Sequence, residues 1–156
     1  MTATDVSQAH TSAGDGAQLS FMGMELIWKV TSETSGGSLC SFVQVAPPGT
    51  GVPLHIHHRD DEMFFVIDGE LRMQIGEEAF DVAAGDTVLL PKGKPHAFRV
   101  AGDREARVLM TLALSADSDY ESMFAGLVGL TPSDFERVAA VCSANNVEFI
   151  APPVMP

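Results

Sequence analysis

Residues 49–69 of the chain read GTGVPLHIHHRDDEMFFVIDG, and this stretch decides how the rest is interpreted. His55 and His57 are two positions apart in a predicted strand, so both imidazoles point to one face while Ile56 points to the other. A polar turn separates them from Glu62, which opens an apolar run. A carboxylate at the mouth of such a run needs a partner, because burying a lone charge is costly.

A fourth candidate ligand lies further along the chain, where residues 91–95 form a predicted tight loop and His96 follows. A His-x-His pair alone is a weak indication of a metal, but three imidazoles and one carboxylate suit a divalent transition ion. We therefore expect one metal per chain, of the set Fe, Mn, Ni, Co, Cu or Zn. The expected ligands are His55, His57, Glu62 and His96. His58 breaks the alternation, and we expect it to be exposed.

The segments around these residues predict an all-β domain, because short apolar runs alternate with turn signals from residue 19 to residue 114. Residues 64–67, the pair Asp68-Gly69 and residues 70–75 predict a hairpin, since Gly accepts the positive φ of a tight turn. The apolar run over residues 63–67 predicts a strand covered on both faces. One core covers only one face. A second subunit in a homodimer, or else a terminal segment, is expected to cover the other.

Three regions follow from the changes in composition along the chain. Residues 1–17 are small and polar, which predicts a flexible arm. Residues 18–114 form the predicted barrel. Residues 115–156 become helical, with one candidate helix from Tyr120 and a second opened by Thr131-Pro132. This tail is too short for a core of its own, so we expect it to pack on the barrel.

Composition excludes several classes of partner. The 156 residues include 21 acidic and 9 basic side chains, a formal net charge of −12. Such a chain repels nucleic-acid phosphates and anionic membrane surfaces, so neither is an expected partner. The sequence shows no transmembrane run and no secretory signal, and Cys40 and Cys142 form no CxxC pair. We expect a cytoplasmic protein with two reduced, inert thiols, a disulfide being the lesser alternative.

Two long motifs resemble the cupin superfamily. Residues 49–69 fit G-x5-H-x-H-x4-E-x6-G at every fixed position, and residues 85–96 fit G-x5-P-x-G-x2-H. The Asn that usually follows the second motif is Val100 here, which is not a ligand position. The resemblance covers about residues 19–114 and implies a double-stranded β-helix, the small cupin jelly-roll barrel. It also implies the ligand set His55, His57, Glu62 and His96.

The tail, residues 134–140 and 147–153, resembles the C-terminal segment of bacterial single-domain cupins related to quercetin 2,3-dioxygenase. In that family a metal binds a deprotonated flavonol, and dioxygen cleaves the central ring with loss of carbon monoxide. The resemblance therefore implies a metal-dependent dioxygenase that acts with O2 on a flavonol-like or other enolisable aromatic substrate. Glu62 is the expected catalytic base. Phe64 and Phe98 share faces with Glu62 and His96, so they are expected to wall the substrate pocket, plain core packing being their alternative role.

Two other functions fit the same residues. An oxygen-independent metal cupin, an isomerase, cyclase or lyase, would use the same ligands as a Lewis acid and a base. A non-enzymatic cupin that binds a small molecule is the third possibility, although an intact ligand set argues against it. The four-ligand core is shared with cupins that are not oxygenases, so it does not choose between these functions.

Overall fold

The computed structural model describes residues 9–150, and within them the chain folds into two antiparallel sheets followed by a short helical segment. The strands are β1 Gln18–Phe21, β2 Met24–Val30, β3 Leu39–Ala46, β4 Gly51–His57, β5 Asp61–Asp68, β6 Glu70–Ile75, β7 Glu78–Ala83, β8 Thr87–Leu90, β9 His96–Ala101, β10 Ala106–Ala113 and β11 Val147–Phe149. The helices are α1 Ser32–Ser35, α2 Tyr120–Leu127 and α3 Phe135–Ser143, the last preceded by a 3₁₀ turn over Pro132–Asp134.

The two sheets pack face to face around a single core. One sheet has the strand order β1-β2-β3-β10-β5-β8, and the other has the order β11-β4-β9-β6-β7. Alternate side chains of β3, β5 and β10 meet alternate side chains of β6 and β9 in one buried cluster. This architecture confirms the predicted all-β jelly-roll barrel with a short C-terminal helical segment.

The predicted hairpin at Asp68-Gly69 is wrong, because β5 and β6 belong to different sheets. β5 already pairs with β10 on one edge and β8 on the other, so it has no free edge for β6. Gly69 has a φ of +86°, and a Cβ there would lie 2.7 Å from the Cα of Ala106. The pair is therefore a corner where the chain crosses between sheets, and only glycine fits it.

The single chain covers only one face of residues 63–67, so within residues 9–150 no terminal segment covers the other, and its burial by a second subunit stays a prediction. Side chains alternate along β5, with Phe64 and Val66 in the core. Met63, Phe65 and Ile67 point outward and are 37%, 39% and 46% exposed. Nothing within residues 9–150 covers this outer face.

The segments at both ends of the barrel pack against it. Lys29 Nζ on β2 donates to the carbonyl oxygens of Ser12, Ala13 and Asp15, so this part of the predicted arm follows the barrel. Residues 1–8 lie outside the described residues, and the boundary at residue 17 stays a prediction. At the other end, β11 adds a strand to the edge of β4, and α3 buries Val138 against the barrel.

Two smaller predictions concern the thiols and the membrane. Cys40 and Cys142 are both free and buried, and burial raises the pKa of both thiols, that of Cys142 to about 12. High pKa values keep thiols protonated and unreactive, as expected.

Over residues 9–150 the structure contains no helix of the length and apolar character needed to cross a membrane.

Candidate metal centre

The four predicted ligands come from three strands that meet inside the barrel. His55 and His57 lie on β4, and His96 opens β9, the neighbour of β4, where it is the register partner of His55. Glu62 lies on β5 in the opposite sheet. The side chains therefore converge from both sheets, and all four residues are at most 7% exposed. His55 and His57 point the same way because residues two positions apart on a strand share a face.

The distances within this cluster suit a cation. Glu62 Oε2 lies 3.4 Å from His57 Nε2 and 3.3 Å from His96 Nε2. One nitrogen or oxygen from each of His55, His57, Glu62 and His96 lies within 4.8 Å of the others. His96 Nε2 is buried without a hydrogen-bond partner among the described residues, an arrangement that native cores avoid. A divalent transition ion would satisfy this nitrogen, and the nitrogen-rich donor set fits such an ion.

Backbone carbonyl groups fix two of the imidazoles. His55 Nδ1 lies 2.7 Å from the carbonyl oxygen of Pro53, and His96 Nδ1 lies 3.1 Å from that of Lys94. A carbonyl oxygen only accepts hydrogen bonds, so each Nδ1 carries the proton. Each Nε2 is then left with a lone pair, which is the form that binds a metal.

The third imidazole has a different support. His57 Nδ1 lies 2.8 Å from the hydroxyl oxygen of Tyr120 at the start of α2, and this hydroxyl donates to Asp60 Oδ2 at 2.9 Å. Tyr120 and Asp60 are 1% and 2% exposed. Sequence reasoning missed both residues, because it placed Asp60 in a polar turn and Tyr120 in a packing helix. Sixty residues separate them, so no local spacing signals the contact.

Burial and the neighbouring side chains together set the protonation of His55, His57 and Glu62. Burial lowers the pKa of His55 well below the ordinary value, and the nearby His96 and His57 lower it further. It also lowers the pKa of His57, against an opposing effect of Glu62. Burial alone would raise the pKa of Glu62, but His57 and His96 outweigh it and the net shift is downward. At neutral pH, His55 and His57 are therefore neutral and Glu62 is ionised, the forms that metal binding requires.

A small apolar cavity adjoins the cluster. Its volume is about 60 Å³, and its walls include Phe64 and Phe98, whose rings pack edge to face with centroids 5.4 Å apart. Both residues are 2% exposed, so they belong to the core as well as to the cavity wall. Their role in binding a substrate stays a prediction.

His58 is exposed, as predicted. It lies outside the cluster and bonds to Glu148 at the surface.

The C-terminal segment covers this cavity. Phe124 of α2 and Phe149 of β11 belong to its walls. A second cavity of about 250 Å³ lies outside it and shares Met22, Val138 and Phe149 with the first. These three side chains therefore separate an outer apolar groove from the metal cluster.

Comparison with known families agrees with this geometry. Residues 42–112 match the family described as cupin domain, and all four cluster residues lie within this range. Over this range the chain is similar to cupin domains, and its fold is the cupin jelly-roll barrel. The cupin match does not include β1, β2, α2, α3 or β11.

Curated relatives match this chain over part of their length. Quercetin 2,3-dioxygenase of Bacillus subtilis is 29% identical over 101 residues, 64% of this chain and 30% of that protein. Polyketide synthase CurC of Streptomyces cyaneus is 32% identical over 66 residues, 42% of this chain and 43% of that protein. The alignments span at most 52% of the first three curated relatives.

Solved structures agree on the fold alone. A predicted oxalate decarboxylase from Thermotoga maritima superposes with a TM-score of 0.60 at 20% identity, covering 69% of this chain and 98% of that one. KdgF from Halomonas sp. superposes with a TM-score of 0.59 at 17% identity, covering 68% and 93%. At these identities the likeness supports the cupin barrel and no particular reaction.

Proposed function

We propose that this cupin is a metal-dependent dioxygenase that cleaves a flavonol-like or other enolisable aromatic substrate with O2. The observation that carries the proposal is the buried cluster of three imidazoles and one carboxylate at the wall of an apolar cavity. The similarity to quercetin 2,3-dioxygenase of Bacillus subtilis supports this reaction class.

The residues around the cavity have distinct roles in the proposal. A bound divalent ion would supply Lewis acidity toward the substrate oxygen. Glu62 accepts the hydroxyl proton, since its lowered pKa keeps it ionised and its carboxylate lies beside the cavity. The walls formed by Phe64 and Phe98 hold a planar ring and exclude water.

The size of the cavity sets a condition on this proposal. A volume of about 60 Å³ is far below the roughly 300–1,000 Å³ of pockets that hold drug-sized ligands. A flavonol would therefore have to displace part of the cover, and Met22, Val138 and Phe149, which line both cavities, are the side chains whose displacement would join them. In this proposal the outer groove is the entrance.

The test is a metal and oxygen screen on the full chain. Purified protein is loaded separately with Fe, Mn, Co, Ni or Cu and given quercetin under air and under nitrogen. We expect at least one metal form to consume oxygen and bleach the flavonol absorbance, in air only and above a free-metal control. If no metal form exceeds that control, the flavonol proposal is wrong.

The variant Glu62→Gln tests the role of the carboxylate in the same assay. The amide oxygen can still coordinate a metal but cannot accept the proton, so we expect a rate loss of about 10²–10⁴ with part of the metal retained. The matched control is Glu70→Gln, which makes the same change at an exposed position on β6. A rate loss no greater than the loss of metal would contradict the role of Glu62 as a base.

A second candidate is an oxygen-independent metal cupin that isomerises, cyclises or cleaves a small substrate. The small volume of the cavity favours it, because a compact substrate displaces less of the cover than a flavonol does. A bound ion would act as a Lewis acid and the Glu62 carboxylate as a base on a small enolisable substrate. Turnover of such a substrate under nitrogen, with no oxygen uptake in air, would select this function instead.

A further inference from the structure

We propose that Asp60 and Tyr120 are positioning residues that hold His57 in its metal-binding tautomer, so that helix α2 completes the metal centre. The proposal rests on the metal centre and is independent of the substrate. It concerns a contact between the cupin domain and a helix outside the family match, because Tyr120 lies beyond residues 42–112.

The direction of two hydrogen bonds carries the argument. The Tyr120 hydroxyl has one proton, and it donates this proton to Asp60 Oδ2 at 2.9 Å. Toward His57 Nδ1, at 2.8 Å, the same oxygen must then accept. Nδ1 therefore carries the proton of the neutral imidazole, and the lone pair is left on Nε2, which faces Glu62 in the cluster.

His57 depends on this support in a way that the other two histidines do not. His55 and His96 each bond through Nδ1 to a carbonyl oxygen only two residues earlier in the chain. Such acceptors are present whenever the strand forms. The acceptor for His57 comes from a residue 63 positions away, on a separate helix.

Asp60 also fixes the segment that delivers Tyr120. Its Oδ1 accepts from the Ser115 backbone N–H at 2.7 Å, and its Oδ2 accepts from Ser118 Oγ at 2.5 Å. Ser115 and Ser118 lie in the connection from β10 to α2. One buried carboxylate thus both holds the connection in place and sets the direction of the tyrosine hydrogen bond.

Loss of this support would disable two ligands at once. In the opposite tautomer the proton is on Nε2, which would donate to Glu62 Oε2, now 3.4 Å away. That bond would occupy the nitrogen and the carboxylate oxygen that a metal needs. A competing internal hydrogen bond would therefore replace metal binding.

The first test reads the tautomer in the metal-free full chain by ¹⁵N chemical shifts of the histidine rings, with His57→Gln to assign the signals. We expect the Nδ1–H form in the wild type and a shift toward Nε2–H in Tyr120→Phe, which removes only the hydroxyl. In Asp60→Asn the amide can donate to the tyrosine oxygen, so the tyrosine proton turns to His57 Nδ1 and the same shift is expected. Ser122→Ala, which removes an exposed hydroxyl from the same helix, should match the wild type.

The second test measures the dissociation constants of Zn²⁺ and Co²⁺ for the wild type, Tyr120→Phe, Asp60→Asn and Ser122→Ala. We expect Tyr120→Phe to weaken binding about 10–100-fold, the usual effect of losing a partner of a ligating histidine. Ser122→Ala should bind as the wild type does. Thermal unfolding of the metal-free forms shows whether each variant is folded, since the phenyl ring of Tyr120→Phe keeps the packing of Tyr120.

The results that overturn the proposal are distinct from failure of the dioxygenase assay. A folded Tyr120→Phe protein that keeps the Nδ1–H tautomer overturns the positioning role. Unchanged metal affinity in that variant overturns the consequence for the metal centre, as does a wild-type protein that binds neither ion.

Discussion

His55 and His96 face each other on neighbouring strands, with ring centroids 4.3 Å apart. Each presents Nε2 to the cluster, so His55→Ala and His96→Ala should each lose most of the bound metal. The variant His58→Ala, at an exposed position where the imidazole bonds to Glu148, should keep it. Metal analysis of the purified proteins is the measurement, and full occupancy in both core variants would disprove the ligand assignment.

Acid should destabilise the metal-free protein below about pH 6.5, the ordinary pKa of histidine. His55 and His57 are buried with lowered pKa values, and they lie against Glu62 and His96. The unfolded chain therefore binds more protons than the folded one below this pH, and the free energy of unfolding falls as the pH drops. The lowered pKa of Glu62 adds a further loss at lower pH, below its ordinary value of 4.5.

Denaturant unfolding in the presence of a chelator, repeated across this pH range, measures the effect. His55→Gln should flatten the profile, whereas His58→Gln, on the surface, should leave it unchanged. Equal slopes in all three proteins would show that another group causes the pH dependence.

At the scale of elements, the C-terminal segment is part of the barrel rather than an addition to it. α3 buries Val138 and Cys142, and β11 pairs with the ligand strand, Val147 opposite His57 and Phe149 opposite His55. Full burial of an apolar side chain such as valine contributes roughly 1.5–3 kcal/mol. The segment therefore stabilises the strand that carries two of the ligands.

Deletion of residues 131–156 should lower the unfolding temperature and expose apolar surface, which dye binding and solubility would report. The matched control, Glu136→Gln on the exposed side of α3, should change neither. A truncated protein as soluble and stable as the full chain would contradict docking of this segment.

The sequence predicts the convergence of His55, His57, Glu62 and His96, because each motif places its residues by local geometry. His55 and His57 share a strand face, and His96 follows a loop of defined length. The error at Asp68-Gly69 has the opposite cause. The tight turn itself is predicted from local sequence, but β6 can pair with β5 only if β5 has a free edge, and both of its edges are paired, with β10 and with β8. The contact between Asp60 and Tyr120 could not be predicted from the sequence for the same reason, since only the folded topology brings these two residues together.

At the scale of the whole molecule, β5 and β8 carry most of the large apolar side chains that are exposed within residues 9–150. Their outer face includes Met63, Phe65, Ile67 and Leu89, with Leu89 62% exposed. The homodimer predicted from the sequence would bury it, as a second sheet does in other two-layer packings. We expect the wild type to elute as a dimer in light scattering on a sizing column.

Phe65→Glu should shift that dimer to a monomer, because it places a charge in the middle of the face. Val128→Glu, at a 51% exposed site after α2, is the control with the same added charge and should remain dimeric. A monomeric wild type would contradict the prediction and leave the face without a known cover.

The pairing of β11 with β4 also determines how long a segment would be needed to move the candidate metal centre into another protein. A recombination event, or a cloning boundary, that kept only residues 42–112 would carry every ligand but leave behind Tyr120 and the strand beside His55 and His57. The stretch that matches the family, residues 42–112, is therefore not enough to transfer the centre to another protein. A transferable unit would also have to include α2 and β11.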